Sequence, residues 1–200
     1  MTKEEILNMF RAKTDIRAWM MRPFRLNGFV YACNGHWIAR VPDEEGLDAD
    51  PYSVDHPKKI EALFTEAATD GFMPMPAIAK PEACLMCEGR GFGKIYKCGD
   101  CDGDGDFSHG QHWYECKECE GNGDTFEAEQ GGTDACPQCG GLTFQWGQPG
   151  VQVGDQKFSP TYAYLLAQLP GIRFANNADK TKAGHFFFDG GEGLVMPYRD

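Results

Sequence analysis

The chain has 200 residues, 42% of them hydrophobic and 24% charged, with 19 Lys and Arg against 30 Asp and Glu for a formal charge of −11. That length suits one or two domains. Most of that charge lies in residues 81–143, a module too acidic to bind phosphate well. No apolar run of about 18 residues marks a membrane span, and no N-terminal apolar segment marks a signal peptide, so a cytoplasmic protein is expected.

The N-terminal end departs from this balance. Lys3, Arg11, Lys13, Arg17, Arg22, Arg25 and Arg40 stand against Glu4, Glu5 and Asp15 in residues 1–42. If any part meets DNA, it is this one. Residues 3–13 (KEEILNMFRAK) read as an amphipathic helix, with Thr2 and Glu5 spaced as a capping box. Three strand-like pieces follow, over 16–26, 29–33 and 36–41. The Asn27-Gly28 and Asn34-Gly35 turns between them predict an antiparallel meander. Cys33 and His36 straddle the second turn with no further Cys or His nearby. They read as a buried cysteine and a turn histidine rather than metal ligands. A second helix is expected over 57–68, with Pro57 at its start. Gly71 to Pro81, with prolines at 74, 76 and 81, reads as a linker.

The next sixty residues repeat one template: Cys84-Leu-Met-Cys87-Glu-Gly89-Arg-Gly91, Cys98-Gly-Asp-Cys101-Asp-Gly103-Asp-Gly105, Cys116-Lys-Glu-Cys119-Glu-Gly121-Asn-Gly123 and Cys136-Pro-Gln-Cys139-Gly-Gly141. The fourth copy carries Thr143 where the others end in glycine. Two cysteines separated by two residues reach one metal ion, and the glycines permit the tight turn that follows. Asp100, Asp102, Asp104 and Gly105 match the start of a calcium loop. The position that needs a bidentate Glu holds Gln111, so calcium is not expected. Eight cysteines in this spacing predict two Zn²⁺ ions held by thiolates rather than disulfides. Few aliphatics occur here, so the metal supplies the folding free energy. Residues 81–143 carry thirteen acids against four bases. His109 and His112 lie between the second and third repeats and are not needed as ligands. The aromatics Phe92, Tyr96, Phe107, Trp113, Tyr114, Phe126, Phe144 and Trp146 are expected mostly as small packing contacts, with some lining a groove for an extended peptide.

Beyond this region, residues 150–158 read as a short strand pair. Residues 159–169 (SPTYAYLLAQL) read as a helix with a Ser cap and Pro at its first position. Strands are expected over 172–175, 185–189 and 192–197. A helix followed by a meander thus occurs on both sides of the cysteine-rich stretch. This predicts an α+β domain of two related halves, residues 1–80 and 144–200, with the insert 81–143 between them. No phosphate-binding glycine loop, nucleophile elbow or distinct acid–base pair is present, and a non-enzymatic protein is expected.

Two resemblances sharpen these expectations. The four CxxCxGxG-like repeats resemble the cysteine-rich zinc domain of DnaJ-type chaperones, a β-hairpin-rich finger. The resemblance implies one zinc on Cys84, Cys87, Cys136 and Cys139 and another on Cys98, Cys101, Cys116 and Cys119. Spacing alone leaves other pairings open. A J-domain His-Pro-Asp tripeptide and a Gly/Phe-rich linker are missing from the sequence, so chaperone activity does not follow with the finger. Separately, Tyr31-Ala-Cys-Asn-Gly-His-Trp-Ile-Ala39, residues 158–169 and Leu194-Val-Met-Pro-Tyr-Arg199 resemble parts of the bacterial DNA polymerase sliding clamp. Residues 53–68, which begin SVDHPKKIEALF, resemble a clamp strand and helix as well, which leaves open whether helix 57–68 or helix 159–169 fills the second helical place. This resemblance implies a clamp-like domain and a non-enzymatic accessory role in DNA replication or processing, acting by self-assembly or through replication proteins. A closed ring would need about six copies of so short a chain. The competing expectation is an adaptor whose finger grips a protein or peptide client.

Overall fold

The computed structural model describes residues 1–53, 60–68 and 70–198. In chain order, α1 (Lys3–Phe10) leads through a 3₁₀ turn (Ala18–Met20) to strands β1 (Phe24–Leu26), β2 (Phe29–Cys33), β3 (Trp37–Pro42) and β4 (Asp50–Pro51). Helix α2 (Ile60–Thr65) and strand β5 (Met73–Pro74) follow. The cysteine-rich stretch contributes β6 (Phe92–Lys97), β7 (Asp106–His109), β8 (His112–Glu115), β9 (Asp124–Glu127) and β10 (Asp134–Ala135). The chain ends with β11 (Val151–Val153), β12 (Gln156–Phe158), α3 (Pro160–Leu166), β13 (Arg173–Ala175), β14 (Gly184–Phe188) and β15 (Gly191–Val195). Two compact units result: Met1–Pro81 with Gly147–Asp200, and Glu82–Trp146.

The first unit is built on an eight-stranded sheet in the order β4-β1-β2-β3-β15-β14-β13-β5. Each half contributes a helix and then a three-stranded meander, and the last strands of the two meanders meet at its centre. There β3 and β15 run antiparallel, with Ile38 opposite Leu194 and Arg40 opposite Glu192. The Asn27-Gly28 turn has the conformation that a tight hairpin demands, with Asn27 (φ 49°) and Gly28 (φ 79°) both left-handed, whereas at the second turn Gly35 (φ 89°) is left-handed and Asn34 is not.

Alternation along the strands sends side chains to two faces. On one face Phe10 of α1, Trp37 of β3 and Tyr162 of α3 stack in a row, with ring centroids 4.1 and 4.7 Å apart. Helices α1 and α3 therefore share this face, and Leu7, Phe158, Leu166, Phe174 and Phe186 are buried with them. Removing each such side chain from water contributes about 2 kcal/mol. On the other face Ile60 and Phe64 of α2 pack with Tyr31, Ile38 and Leu194. Of the two later helices, α3 takes the place equivalent to α1, since it lies on the same face of the sheet and precedes the second meander.

Local expectations meet the structure unevenly. The capping box forms: the Glu5 N–H donates to Thr2 Oγ1 (3.2 Å) and the Thr2 N–H donates to Glu5 Oε2 (2.7 Å). The helix stops at Phe10, short of 13, because the Ala12 N–H turns to the carbonyls of Met20 (2.9 Å) and Cys33 (3.1 Å). The strand expected over 16–26 shrinks to β1. Asp15 accepts from the Arg17 N–H (2.8 Å), which forms a turn that leaves Ile16 fully exposed. The expected start of the second helix at Pro57 lies outside the described residues. Ser159 precedes α3 without a side-chain capping bond. The stretch read as a linker supplies β5, whose Met73 pairs with Phe174 at the sheet edge. Among the described residues no helix is long and apolar enough to cross a membrane.

Candidate metal centres

The second unit is organised by its four cysteine repeats. In the first three, the residue after the second cysteine is left-handed although it is not glycine: Glu88 (φ 52°), Asp102 (φ 53°) and Glu120 (φ 49°). A backbone bond closes each turn, from the Gly89 N–H to the Cys84 carbonyl (3.0 Å), Gly103 to Cys98 (3.1 Å) and Gly121 to Cys116 (3.1 Å). The last glycine then aims its N–H at sulfur: Gly91 at Cys87 (3.2 Å), Gly105 at Cys101 (3.2 Å) and Gly123 at Cys119 (3.3 Å). Such donors stabilise negative charge on the sulfur.

The repeats then pair reciprocally. The Cys98 N–H donates to the Gly123 carbonyl (2.8 Å), and the Cys116 N–H donates to the Gly105 carbonyl (2.9 Å). Likewise Cys84 donates to Thr143 (2.9 Å) and Cys136 to Gly91 (2.9 Å). Repeat two thus closes on repeat three, and repeat one on repeat four. The approach is close enough to need glycine. A Cβ at Gly105 would lie 2.4 Å from the Gly121 carbonyl oxygen, and one at Gly123 2.5 Å from that of Gly103.

Pairing gathers the sulfurs into two groups, Cys84, Cys87, Cys136 and Cys139, and Cys98, Cys101, Cys116 and Cys119. Within each group all four sulfurs lie within 4.8 Å of one another. Across the repeats the separations are 3.9 Å (Cys84–Cys136), 3.7 Å (Cys87–Cys139), 3.8 Å (Cys98–Cys116) and 3.7 Å (Cys101–Cys119). A disulfide would need about 2.05 Å. A tetrahedral ion with metal–sulfur bonds of about 2.3 Å sets its sulfurs about 3.8 Å apart. The donor set and spacing therefore fit one thiolate-bound divalent ion per group. The protonation preferences are uneven. Burial works against ionisation at Cys101, yet the Gly105 N–H, the neighbouring Cys98 and Cys119 thiols and the Gly103 N–H bring it down to about 7. Burial pushes the Cys119 thiol up to about 12. An ion bound by all four requires all four to lose their protons.

The two sites differ in support. Phe126 and Ala128 pack on the first, which is flanked by the three-stranded sheet β10-β6-β9. The buried cluster at the second consists of its four cysteines. Its two repeats are joined by the β7–β8 hairpin, whose side chains are mostly exposed. Phe144 is buried, as a packing role requires, but Trp113 is 73% exposed and Tyr114 and Phe107 are exposed as well. The expected packing role does not hold for these three. His109 and His112 face each other across this hairpin, apart from both sulfur groups. Cys33 is buried in the first unit, where burial pushes its thiol up to about 11, and His36 stacks on Tyr162 at 5.8 Å.

The first unit carries two features that the sequence hid. The N-terminal cations are largely neutralised: Lys3 pairs with Glu44, Arg17 with Asp15, Arg22 with Asp48 and Asp50, Arg25 with Asp43, and Arg40 with Glu192. A cleft of about 360 Å³ opens on the α2 face, lined by Trp19, Met20, Ile38, Leu63, Leu194 and Met196 among others. Leu63 and Met196 are both exposed there. The chain matches no family model, no curated protein and no solved structure.

Proposed function

We propose that this chain is a non-enzymatic accessory protein that binds two zinc ions as structural elements and works by holding other proteins. The observation that carries the reading is the closure of both cysteine groups. Four buried thiols complete a tetrahedral shell, and catalytic zinc keeps an open position for water or substrate. Zinc suits an all-sulfur tetrahedral shell better than the oxygen-seeking calcium and magnesium. Bound there, it would supply the cohesion that a unit poor in aliphatic residues lacks.

The apolar cleft on the α2 face supports a protein or peptide partner, since such sites are mostly apolar concavities. A role in DNA replication or processing rests on the clamp-like segments, two of which, 31–39 and 194–199, supply Ile38, Leu194 and Met196 to the cleft. The ion-paired N-terminal cations favour contact with replication proteins over contact with DNA. Capture on the zinc-loaded full chain tests this, with polymerase and clamp-loader subunits offered beside unfolded polypeptides. Capture of replication subunits that Leu63→Asp and Met196→Asp abolish supports the reading. Capture of unfolded polypeptides alone replaces it with the client-adaptor function, which the exposed aromatics of the hairpin favour.

A further inference from the structure

We propose that the β7–β8 hairpin is a docking surface for an extended Lys- and Arg-rich segment of a partner protein. This deepens the protein-binding reading and rests on it. Two observations carry it.

The first is aromatic exposure on an uncovered sheet. The hairpin has two strands, and among the described residues no third strand pairs with it. A lone hairpin is marginal in water, so its side chains would be expected to be polar. Instead it presents Trp113 (73% exposed), Tyr114 (55%) and Phe107 (44%). The register sets Phe107 opposite Tyr114, and Ser108 opposite Trp113. Phe107 and Tyr114 thus form one face with His109 and His112, and Trp113 lies on the other face with Asp106 and Glu115.

The second is charge. Residues 98–123 carry Asp100, Asp102, Asp104, Asp106, Glu115, Glu118 and Glu120 against the single cation Lys117. Among the described residues none of these seven acids forms an ion pair. Four thiolates around a divalent ion add two further negative charges at the base of the hairpin. Nucleic acid is repelled by such a surface, whereas a cationic segment is drawn to it. Lys and Arg heads stack on aromatic faces, and the carboxylates beside the rings pair with the same heads. The outer edges of both strands leave backbone groups free to pair with an added strand. Exposed aromatics, unpaired acids and open edges thus point to one kind of occupant.

The test is fluorescence anisotropy with a fluorescein-labelled peptide of alternating Arg and Ser, titrated with the zinc-loaded full chain. Binding is expected, weakening steeply between about 50 and 200 mM salt. Trp113→Ala with Tyr114→Ala is expected to weaken it about tenfold or more, the loss of two cation–ring contacts. Asp106→Asn with Glu115→Gln is expected to flatten the salt dependence. All variants leave the cysteines untouched, and a zinc content of two per chain confirms that each has kept the finger. No binding at low salt, or equal binding by the aromatic variant with both ions retained, overturns the proposal. So does tighter binding of a Glu–Ser peptide or of single-stranded DNA, or self-association that the same substitutions abolish. The cleft residues Leu63 and Met196 are unchanged throughout. Failure here with partner capture intact therefore removes this surface alone.

Discussion

Arg40 and Glu192 lie opposite each other on β3 and β15, 152 residues apart in the chain, and the guanidinium donates to Glu192 Oε1 through both Nε (2.9 Å) and Nη2 (2.6 Å). This pair sits where the two halves of the sheet join. Arg40 also lies over the rings of Phe64 (4.1 Å) and Phe29 (4.5 Å), and the other Glu192 oxygen meets His185 Nε2 at 2.7 Å. Glu192→Ala is expected to destabilise the first unit by about 3 kcal/mol, because it strands a largely buried cation. Arg40→Met with Glu192→Leu is expected to recover most of that loss. Urea unfolding followed by Trp fluorescence, with zinc present, reads both.

The same pair predicts a pH dependence. Burial raises the Glu192 pKa, but hydrogen bonds from His185 and Arg40 outweigh it and hold the carboxyl below the ordinary value of 4.5. The unfolded chain therefore binds this proton at higher pH than the folded one. The stabilisation is complete above about 4.5 and is lost as the pH falls through the lower folded value. Between those values the native chain should lose stability more steeply with acid than Glu192→Ala. Unfolding at a series of acidic pH values compares the slopes.

Two zinc ions per chain are expected by elemental analysis. Cys98→Ser with Cys101→Ser should leave one. A chelator should empty the second site first, because Phe126 and Ala128 shield only the first. Each structural site is worth on the order of 10 kcal/mol to its own unit. Hydrogen exchange should therefore lose protection over 98–123, then over the rest of 82–146, while the eight-stranded sheet keeps its own. Uniform loss across the chain would contradict separate units. Calcium should change nothing. Asp100, Asp102 and Asp104 are exposed on the turns around Cys101, and Gln111 stands where a calcium loop needs a bidentate carboxylate.

Thr143 occupies a left-handed conformation (φ 70°) that its branched side chain resists, at the position where the other three repeats carry glycine. Thr143→Gly should stabilise the unit containing the finger by about 1 kcal/mol. Gly105→Ala should do the opposite and cost about 2 kcal/mol or more, since its Cβ would meet backbone that cannot move aside. Competition for zinc against a chromogenic chelator ranks the three proteins.

The parts legible in the sequence were those set by neighbours in the chain. The capping box at Thr2 and Glu5, the Asn27-Gly28 turn and the CxxC turns each follow from a handful of adjacent residues. What escaped depends on distant contacts. Ala12 leaves the helical path because Met20 and Cys33 offer it carbonyls. Met73 becomes a strand only because Phe174 lies beside it. The positive N-terminal end looked available to DNA because Asp43, Glu44, Asp48 and Asp50, its neutralising partners, come later in the sequence. The exposure of Trp113 was hidden for the reverse reason: aromatic residues usually find cover, and nothing local signals that these do not.

That neutralisation carries the last prediction, which concerns DNA. A ring around a duplex would present cations to phosphates, and Lys3, Arg11 and Lys13 of the N-terminal segment are its natural lining. Lys3 is paired with Glu44. Arg11 donates to the Met21 carbonyl (3.0 Å) and to Asn8 Oδ1 (2.8 Å). Lys13 donates to the Asn8 carbonyl, and burial followed by repulsion from Arg11 lowers its pKa to about 8. Each would have to give up its present partner to reach a phosphate. The expected outcome is no duplex binding at about 0.15 M salt and, at low salt, weak binding whose log–log salt slope stays below about 2, equivalent to two phosphate contacts or fewer. Anisotropy with a labelled duplex measures the slope, and sedimentation velocity measures the size of the assembly. A six-copy species with a slope several times larger would restore the ring. A monomer with the shallow slope removes the ring and leaves the proposed docking of other proteins at the apolar cleft as the reading to test.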